Sequence, residues 1–245
     1  MTPNLRYLYT PIPFGLALAF ALTTAFTLAI WLWAVRKAVP KRVALVCTIL
    51  AGWLGLLSGL AASGFFLDVR AIPPRLPLLL LPPIGTMMGL WLTRTGRRLL
   101  DALPLAPITY LHTLRIPVEL VLFGLYTHHQ LPLAMTFEGR NFDILAGLTA
   151  PLAGYYLTKG PIANRRWLIG WNLLCLVLLA NIVLTAIFAA PGPQQQLAFG
   201  QPNVAVLKWP LVWLPGFVVP VVLLSHLAAL RQLLRGQDPK PNTTT

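Results

Sequence analysis

The chain has 245 residues, a net charge of +13 and a mean hydropathy of +0.71, with 57% hydrophobic and only 10% charged residues. Soluble domains carry roughly 25% charged residues, so this composition excludes an ordinary soluble domain and indicates an integral membrane protein. The basic residues lie in short clusters between apolar runs, and no nucleic-acid-binding motif accompanies them. We therefore expect the lipid bilayer as the partner, no nucleic acid and no cofactor.

Seven apolar runs indicate helices that cross a bilayer. The predicted spans cover residues 14–34, 43–67, 76–93, 105–126, 143–158, 167–189 and 209–230. Together they predict one all-α, seven-helix transmembrane domain over residues 1–235, followed by a flexible cytoplasmic tail over residues 236–245. We expect the first run to be retained, because it is longer than the apolar part of a signal peptide and its basic cluster follows it.

Small residues and prolines predict how these spans pack. The first span carries a four-residue repeat of small side chains that would let another helix approach closely, formed by Ala17, Ala21, Ala25 and Ala29. Pro82 and Pro83 lie inside the third span, and three prolines recur every five residues at the start of the last span. Each proline lacks a backbone donor, so we expect a kinked or broken third span and a bent last span. Cys47 and Cys175 both fall within spans and are interpreted as small core residues.

The basic residues are distributed unequally between the two sets of loops. Thirteen of the 19 Lys and Arg residues fall on one side of the predicted bundle, and one lies inside a span. The opposite side holds Arg6, Arg70, Arg75, Arg140 and Lys208. The positive-inside rule then places the N-terminus outside and the C-terminus in the cytoplasm.

The fourth predicted span carries ionisable side chains at helical spacing. His112, Arg115 and Glu119 fall at i, i+3 and i+7, so they share one face. An ionisable side chain near the bilayer centre costs at least about 2.5–3.5 kcal/mol, so this face should lie inside the bundle or line a wet cavity. Polar residues of other spans are expected at the same depths in the bilayer as His112 and Glu119. Asn172 and Asn181 lie on opposite faces of their helix, so only one of them can share the site. The predicted pocket for a small ligand or ion comprises His112, Arg115, Glu119, Tyr126, Asn172, Asn181 and His226.

A structural explanation of the same residues stays open. Arg115 and Glu119 lie one helical turn apart, so they could simply neutralise each other as an i, i+4 ion pair. In the ligand-binding hypothesis, the loop after the fourth span forms the outer lid of the pocket, with the polar residues Glu138, Arg140, Asn141 and Asp143. Within that lid, the side chain of Asn141 or Asp143 could cap the next helix.

The same loop contains weak candidates for a metal site. His128, His129, Glu138 and Asp143 supply imidazole and carboxylate groups of the kind that bind zinc. Adjacent histidines lack the i, i+4 spacing of a zinc-binding helix, which favours ordinary solvated residues. An intramembrane metal-dependent enzyme acting at the outer face is therefore an alternative to ligand binding, and a scaffold subunit with buried ion pairs is a third.

Three stretches carry a resemblance to a known family: HTLRIPVE, MTFEGRNFDILAGLTAP and WPLVWLPGFVVPVVLLSHLAAL. They resemble a family of uncharacterised bacterial membrane proteins, which implies an inner-membrane location and a polytopic helical fold but no activity. Seven-helix hydrolases of the ceramidase and progestin-receptor type need a spaced histidine pair in the last helix, where this chain has only His226. Microbial rhodopsins need a lysine in the middle of that helix, whereas Lys208 precedes it and is interpreted as an interface anchor.

Overall fold

The computed structural model describes residues 2–159 and 165–236, and these ranges contain helices and no strand. The helices are α1 (Phe14–Ala38), α2 (Val43–Ala62), α3 (Pro77–Leu92), α4 (Arg94–Ala102), α5 (Leu105–Tyr110), α6 (Arg115–Thr127), α7 (Ile144–Lys159), α8 (Arg165–Ala189) and α9 (Val219–Arg235). A 3-10 segment, Leu111–Leu114, joins α5 to α6, and a π-helical turn, Leu214–Val218, leads into α9. Residues 237–245 of the predicted tail lie outside the described ranges.

Within residues 2–159 and 165–236, five helical segments are long and apolar enough to cross a membrane. They are Phe14–Ala38, Pro40–Ala62, Leu105–Thr127, Arg165–Ala189 and Leu214–Arg235. Two further apolar helices, Pro77–Leu92 and Ile144–Tyr156, are shorter. At 1.5 Å per residue, a 16-residue helix such as α3 is about 24 Å long, less than the roughly 30 Å of a bilayer core. The all-helical, membrane-protein character is thus supported, and the described part of the chain has five segments of full spanning length where seven were predicted.

Several predicted boundaries were wrong for local reasons. The second helix ends at Ala62 and not at residue 67, because Gly64 adopts a left-handed conformation with φ of 72° that turns the chain. Of the two outcomes expected for the third span, a kink or a break, the break does not occur, since α3 continues through Pro82 and Pro83. The short basic helix α4 follows directly and was not predicted, although Thr93 caps it by accepting a bond from the Gly96 backbone amide at 3.1 Å.

The prolines of the last predicted span delay the start of its helix from residue 209 to the π-helical turn. Within this turn the carbonyl of Gly216 accepts a bond from Trp53 Nε1 at 2.9 Å, so a side chain of α2 satisfies the irregular backbone. Trp213 Nε1 reaches back to the Leu54 carbonyl at 3.1 Å. A Cβ atom at Gly216 would lie 2.4 Å from Leu57 Cδ1, which explains why this close approach uses glycine.

The packing face of α1 also differs from the prediction. Ala25 and Ala29 of the small-residue repeat are exposed, whereas Thr24 and Thr27 are buried. These threonine hydroxyls donate to backbone carbonyls one turn earlier, so they can be buried without an unpaired donor. Cys175 lies in the core as predicted, but Cys47 is exposed on α2, so its interpretation as a core residue was wrong.

The loops gather at the two ends of the bundle. One end, called the N-terminal end below, brings together residues 4–10, 128–143 and 190–213, as in the 2.8 Å bond from the Asn4 backbone amide to the Phe199 carbonyl. At the opposite end, Asp101 of α4 accepts bonds from Arg231 at 2.6 and 3.0 Å. This ion pair holds the short helix α4 against the C-terminal part of α9.

Candidate functional site

The three ionisable side chains of the fourth predicted span all face the interior of the bundle. His112, Arg115 and Glu119 are 1%, 2% and 1% exposed. Although His112 lies in the 3-10 segment and the other two in α6, the change in helix type does not remove them from the common buried side. The cost of exposing these groups to lipid is therefore avoided.

Arg115 is the centre of the site because it joins three helices. Its Nη1 atom donates to Asp143 Oδ1 at 2.8 Å, and its Nη2 atom lies 3.2 Å from His226 Nε2. The side chains of the ion pair are only 3% and 8% exposed. Arg115 thus links α6 to the start of α7 and to α9. The partner of Arg115 is Asp143 and not Glu119, so the interpretation as an i, i+4 ion pair was wrong.

The hydrogen bonds of His226 determine its tautomer. A guanidinium group can only donate, so Nε2 must accept from Arg115 and carries no proton. The proton is therefore on Nδ1, which donates to Asn172 Oδ1 at 2.8 Å. The amide nitrogen of Asn172 donates to the Leu168 carbonyl at 2.8 Å, which is consistent with this orientation. His226 is consequently a neutral imidazole with both ring nitrogens bonded.

A second imidazole lies flat on the first. The rings of His112 and His226 stack with centroids 3.7 Å apart and an angle of 11° between their planes. The indole of Trp171 packs against both rings at 5.7 Å and donates through Nε1 to Thr149 Oγ1 at 2.9 Å. The Nδ1 atom of His112 is buried and has no hydrogen-bond partner in the described part of the chain.

Glu119 forms its hydrogen bond with Asn141 of the loop 128–143 and not with Arg115. Its Oε1 atom accepts a bond from Asn141 Nδ2 at 2.5 Å, while its Oε2 atom is buried with no partner among the described residues. Asn141 also donates to the Met135 carbonyl at 3.1 Å and accepts from the Asp143 backbone amide at 3.1 Å. The predicted capping role of Asn141 thus takes the form of a bond just ahead of α7, and its amide group connects Glu119 to the residue that pairs with Arg115.

The charges of this group of residues, called the polar network below, do not balance without a proton. The polar network comprises His112, Arg115, Glu119, Asn141, Asp143, Asn172 and His226. Arg115 and Asp143 neutralise each other, and His226 is neutral, so an ionised Glu119 would be an unpaired charge in the interior. Such a charge costs several kcal/mol, whereas one added proton makes the network neutral. Glu119 Oε2, a buried carboxylate oxygen with no partner in the described chain, can take up that proton directly, and His112 is the nearby titratable ring whose Nδ1 also has no partner there.

Other members of the predicted pocket and lid lie elsewhere. Tyr126 lies two turns beyond Glu119, about 10 Å along the helix axis, and packs on Phe123. Asn181 is exposed and donates to the backbone carbonyl of Arg140 at 2.9 Å. The side chains of Glu138 and Arg140 are also exposed. Of the two predicted asparagines, the one on the buried face of α8 thus reaches the network and the one on the opposite face does not.

The four weak metal candidates are not brought together. His128 Nδ1 lies 2.8 Å from the Gly124 carbonyl at the end of α6, whereas the ring of His129 stacks on Tyr7 at 5.0 Å. Asp143 belongs to the ion pair with Arg115. Within residues 2–159 and 165–236, no group of three or more His, Cys, Asp or Glu side chains could hold a metal ion.

Lys208 has a structural role that the sequence did not indicate. It is 8% exposed, and its Nζ atom donates to the carbonyls of Tyr7 at 2.7 Å and Thr10 at 2.8 Å and to the side-chain oxygen of Gln130. Burial lowers the pKa of Lys208 to about 8. The interpretation as an interface anchor thus gives way to a buried contact that ties the N-terminal segment to the loops.

Trp171 and Thr149 were also missed by sequence reasoning. Both side chains belong to helices that the sequence predicted, but nothing in their spacing relates them to the fourth span. A tryptophan next to Asn172, on a helix with a buried polar group, was the one available signal.

Fold and site together define an all-helical protein with several apolar helices of membrane-spanning length and a buried polar network between them. The chain belongs to the family described as Domain of unknown function (DUF8737), whose model matches residues 72–234. This range contains every residue of the polar network. No curated protein and no solved structure matches the chain.

Proposed function

We propose that the protein binds an ion inside the membrane, at the polar network, and that this ion is a proton. The observation that carries the proposal is the carboxylate of Glu119, which has one oxygen bonded to Asn141 and the other buried without a partner in the described chain. Because the guanidinium of Arg115 already pairs with Asp143, it leaves Glu119 without a counter-ion. A proton neutralises Glu119 without needing a cavity, unlike a larger ion or solute.

The stacked imidazoles support the same proposal. The tautomer of His226 is determined by Arg115 and Asn172, which leaves His112 as the imidazole with a free ring nitrogen. Histidine and carboxylate side chains are the usual relay groups where protons move through membrane proteins. Transport coupled to protons or sensing of a proton gradient would follow from such a site.

The proposed location is a bacterial inner membrane, with seven crossings and the N-terminus outside. The two shorter apolar helices, α3 and α7, supply the sixth and seventh crossings. The excess of basic residues in alternate loops supports this orientation. In this topology the loop 128–143, which contributes Asn141 and Asp143 to the network, lies on the outer side.

Proton flux in liposomes tests the proposal. The purified protein is reconstituted with a pH-sensitive dye inside the vesicles, and a potassium diffusion potential drives protons inward. We expect flux above that of empty liposomes in the wild type and loss of this flux in Glu119→Gln, because the amide cannot take up the proton. Glu138→Gln is the matched control, since the same chemical change falls on an exposed carboxylate of the adjacent loop.

Both variants are compared only after their thermal unfolding in detergent matches the wild type. Flux that is equal in Glu119→Gln and wild type would contradict a role of Glu119 in proton transfer, and flux that is equal in wild type and empty liposomes would contradict proton transport. The scaffold alternative predicts that second result. Metal content that is stoichiometric in the wild type and lost in His128→Ala would instead support the enzyme alternative.

A further inference from the structure

A polar cleft of about 210 Å³ lies at the N-terminal end of the bundle, away from the polar network. Three parts of the chain line it: the N-terminal segment 4–7, the loop 200–204 and His129, which is the second residue after the end of α6. The volume equals that of about seven water molecules at roughly 30 Å³ each, so the cleft suits a ligand smaller than a drug-sized molecule.

Hydrogen bonds of the lining residues hold the walls of the cleft in place. The side chain of Asn4 donates to the Gly200 carbonyl at 3.1 Å, which joins the N-terminal segment to the loop 200–204. The Nζ atom of Lys208 donates a hydrogen bond to the Tyr7 carbonyl at 2.7 Å. Gln201 Nε2 donates to the carbonyls of residues 126 and 131 at 3.1 and 2.6 Å, on either side of His129. A site held in this way binds without first having to order its loops.

His129 is one of the residues that line the cleft. Because the amide nitrogen of Gln201 donates to two carbonyls, its Oε1 atom must be the group that lies 3.3 Å from His129 Nδ1. Nδ1 therefore carries a proton, and Nε2 has no hydrogen bond within the described chain. The residue has φ of 56°, a conformation that non-glycine residues rarely adopt, and its ring stacks on Tyr7 at 5.0 Å. Such a backbone persists where surrounding contacts impose it, as they do here.

The charge of the cleft is positive. Arg6 lies with its guanidinium carbon 5.7 Å from the ring centre of Tyr7, and it forms no salt bridge among the described residues. No carboxylate is among the lining residues. The apolar part of the lining consists of Pro202 and Val204, together with the ring of Tyr7. A guanidinium group binds a planar oxyanion through two parallel hydrogen bonds.

We infer that this cleft binds a small organic anion. Its carboxylate would accept hydrogen bonds from the guanidinium of Arg6 and from the Nε2–H group of His129 in its imidazolium form, in which both ring nitrogens carry protons. Its apolar body would lie against Tyr7, Pro202 and Val204. The inference does not depend on the proposed proton site, since none of the cleft residues belongs to the polar network.

Equilibrium dialysis with radiolabelled benzoate tests the inference. Benzoate has the size and chemistry that the cleft requires, and the protein is used as the full chain in phosphatidylcholine nanodiscs, with empty nanodiscs as the blank. We expect saturable binding of one benzoate per chain and no saturable binding of benzylamine, which has the same ring with a positive charge. Arg6→Gln and His129→Gln should each weaken binding by about tenfold or more, because each removes a bond to a charged group.

Two matched variants serve as controls. Arg140→Gln removes an exposed arginine, and His128→Gln removes the neighbouring histidine, whose Nδ1 lies against the Gly124 carbonyl outside the cleft. Both should bind benzoate like the wild type. Equal weakening in a control and its cleft counterpart, or no saturable benzoate binding above the blank, would overturn the inference.

A change of lipid separates a free solute from a lipid headgroup. Benzoate binding that persists in phosphatidylglycerol nanodiscs supports a soluble ligand. Binding that disappears there would mean that anionic headgroups occupy the cleft, and it would overturn the assignment to a small solute. Inorganic phosphate that displaces benzoate at equal concentration would likewise refute the role of the apolar wall.

Discussion

The buried ion pair between Arg115 and Asp143 makes a quantitative prediction about stability. Its side chains are 3% and 8% exposed, so removal of either partner leaves a charge with little access to water. Breaking such a pair typically costs about 3–5 kcal/mol of the free energy of unfolding. We therefore expect Asp143→Leu and Arg115→Met each to destabilise the protein by that amount. The arginine variant also removes the bond to His226 Nε2, so its cost should lie at the upper end.

A more exposed Arg–Asp pair in the same chain supplies the comparison. Asp68 and Arg75 are joined by a 3.0 Å contact, but their side chains are 50% and 28% exposed. Exposed pairs contribute about 0–1 kcal/mol, so Asp68→Leu should change stability by no more than that. Unfolding of the purified protein in a mild detergent, followed by circular dichroism over a denaturant series, measures both differences.

The double variant Arg115→Met/Asp143→Leu distinguishes a buried charge from lost packing. With both charges removed, no unpaired ion remains, and apolar side chains of similar volume fill the same space. We expect its stability to lie near or above that of the wild type and well above either single variant. Additive losses in the double variant, or equal losses in Asp143→Leu and Asp68→Leu, would refute the reasoning that burial makes this pair costly to break.

Two further predictions concern packing and pH. Gly96→Ala should destabilise the protein by about 1–3 kcal/mol, because the new Cβ would lie 2.3 Å from the Leu90 carbonyl oxygen. Gly170→Ala in α8 is the control, since its Cβ would have no atom within 4 Å, and it should be neutral or stabilising by up to about 1 kcal/mol. Thermal unfolding measures both differences. Burial lowers the pKa of Lys208 from its usual 10.5 to about 8. Between pH 8 and 10.5 the unfolded chain therefore binds more protons than the folded protein. The free energy of unfolding should rise with pH in this range, by at most about 1.4 kcal/mol per pH unit. Unfolding profiles of wild type and Lys208→Met that stay parallel from pH 7.5 to 10 would contradict this assignment.

The long apolar helices could be predicted because their signal is local. A run such as residues 14–34 has neither charge nor proline for the length of a bilayer, and any helix formed there is apolar whatever it packs against. The predicted helix bounds were wrong where a contact with another helix stabilises an irregular backbone. The prolines before α9 displaced its start, and Trp53 of α2 satisfies a carbonyl of the π-helical turn that results.

Part of the polar network could be predicted in the same way. The spacing of His112, Arg115 and Glu119 placed them on one face, and the cost of exposing them to lipid implied burial. Their partners could not be derived, because Asp143 and His226 lie 28 and 111 residues from Arg115 along the chain. Proximity along the helix suggested a pair with Glu119, whereas the folded chain offers Arg115 a carboxylate from the start of another helix.

The sequence by itself determined that this is a helical protein built for an apolar environment, and which side chains of its fourth predicted span must avoid that environment. Both conclusions follow from the free energy of transferring single groups, which depends on composition and helical periodicity alone. Tertiary structure alone decided that Arg115 pairs with Asp143, that Glu119 keeps a carboxylate oxygen without a partner in the described residues, and that Arg6 and His129 meet at one cleft. Hydrogen bonds and ion pairs act over a few ångströms in space, and the separation of residues along the chain does not determine those distances.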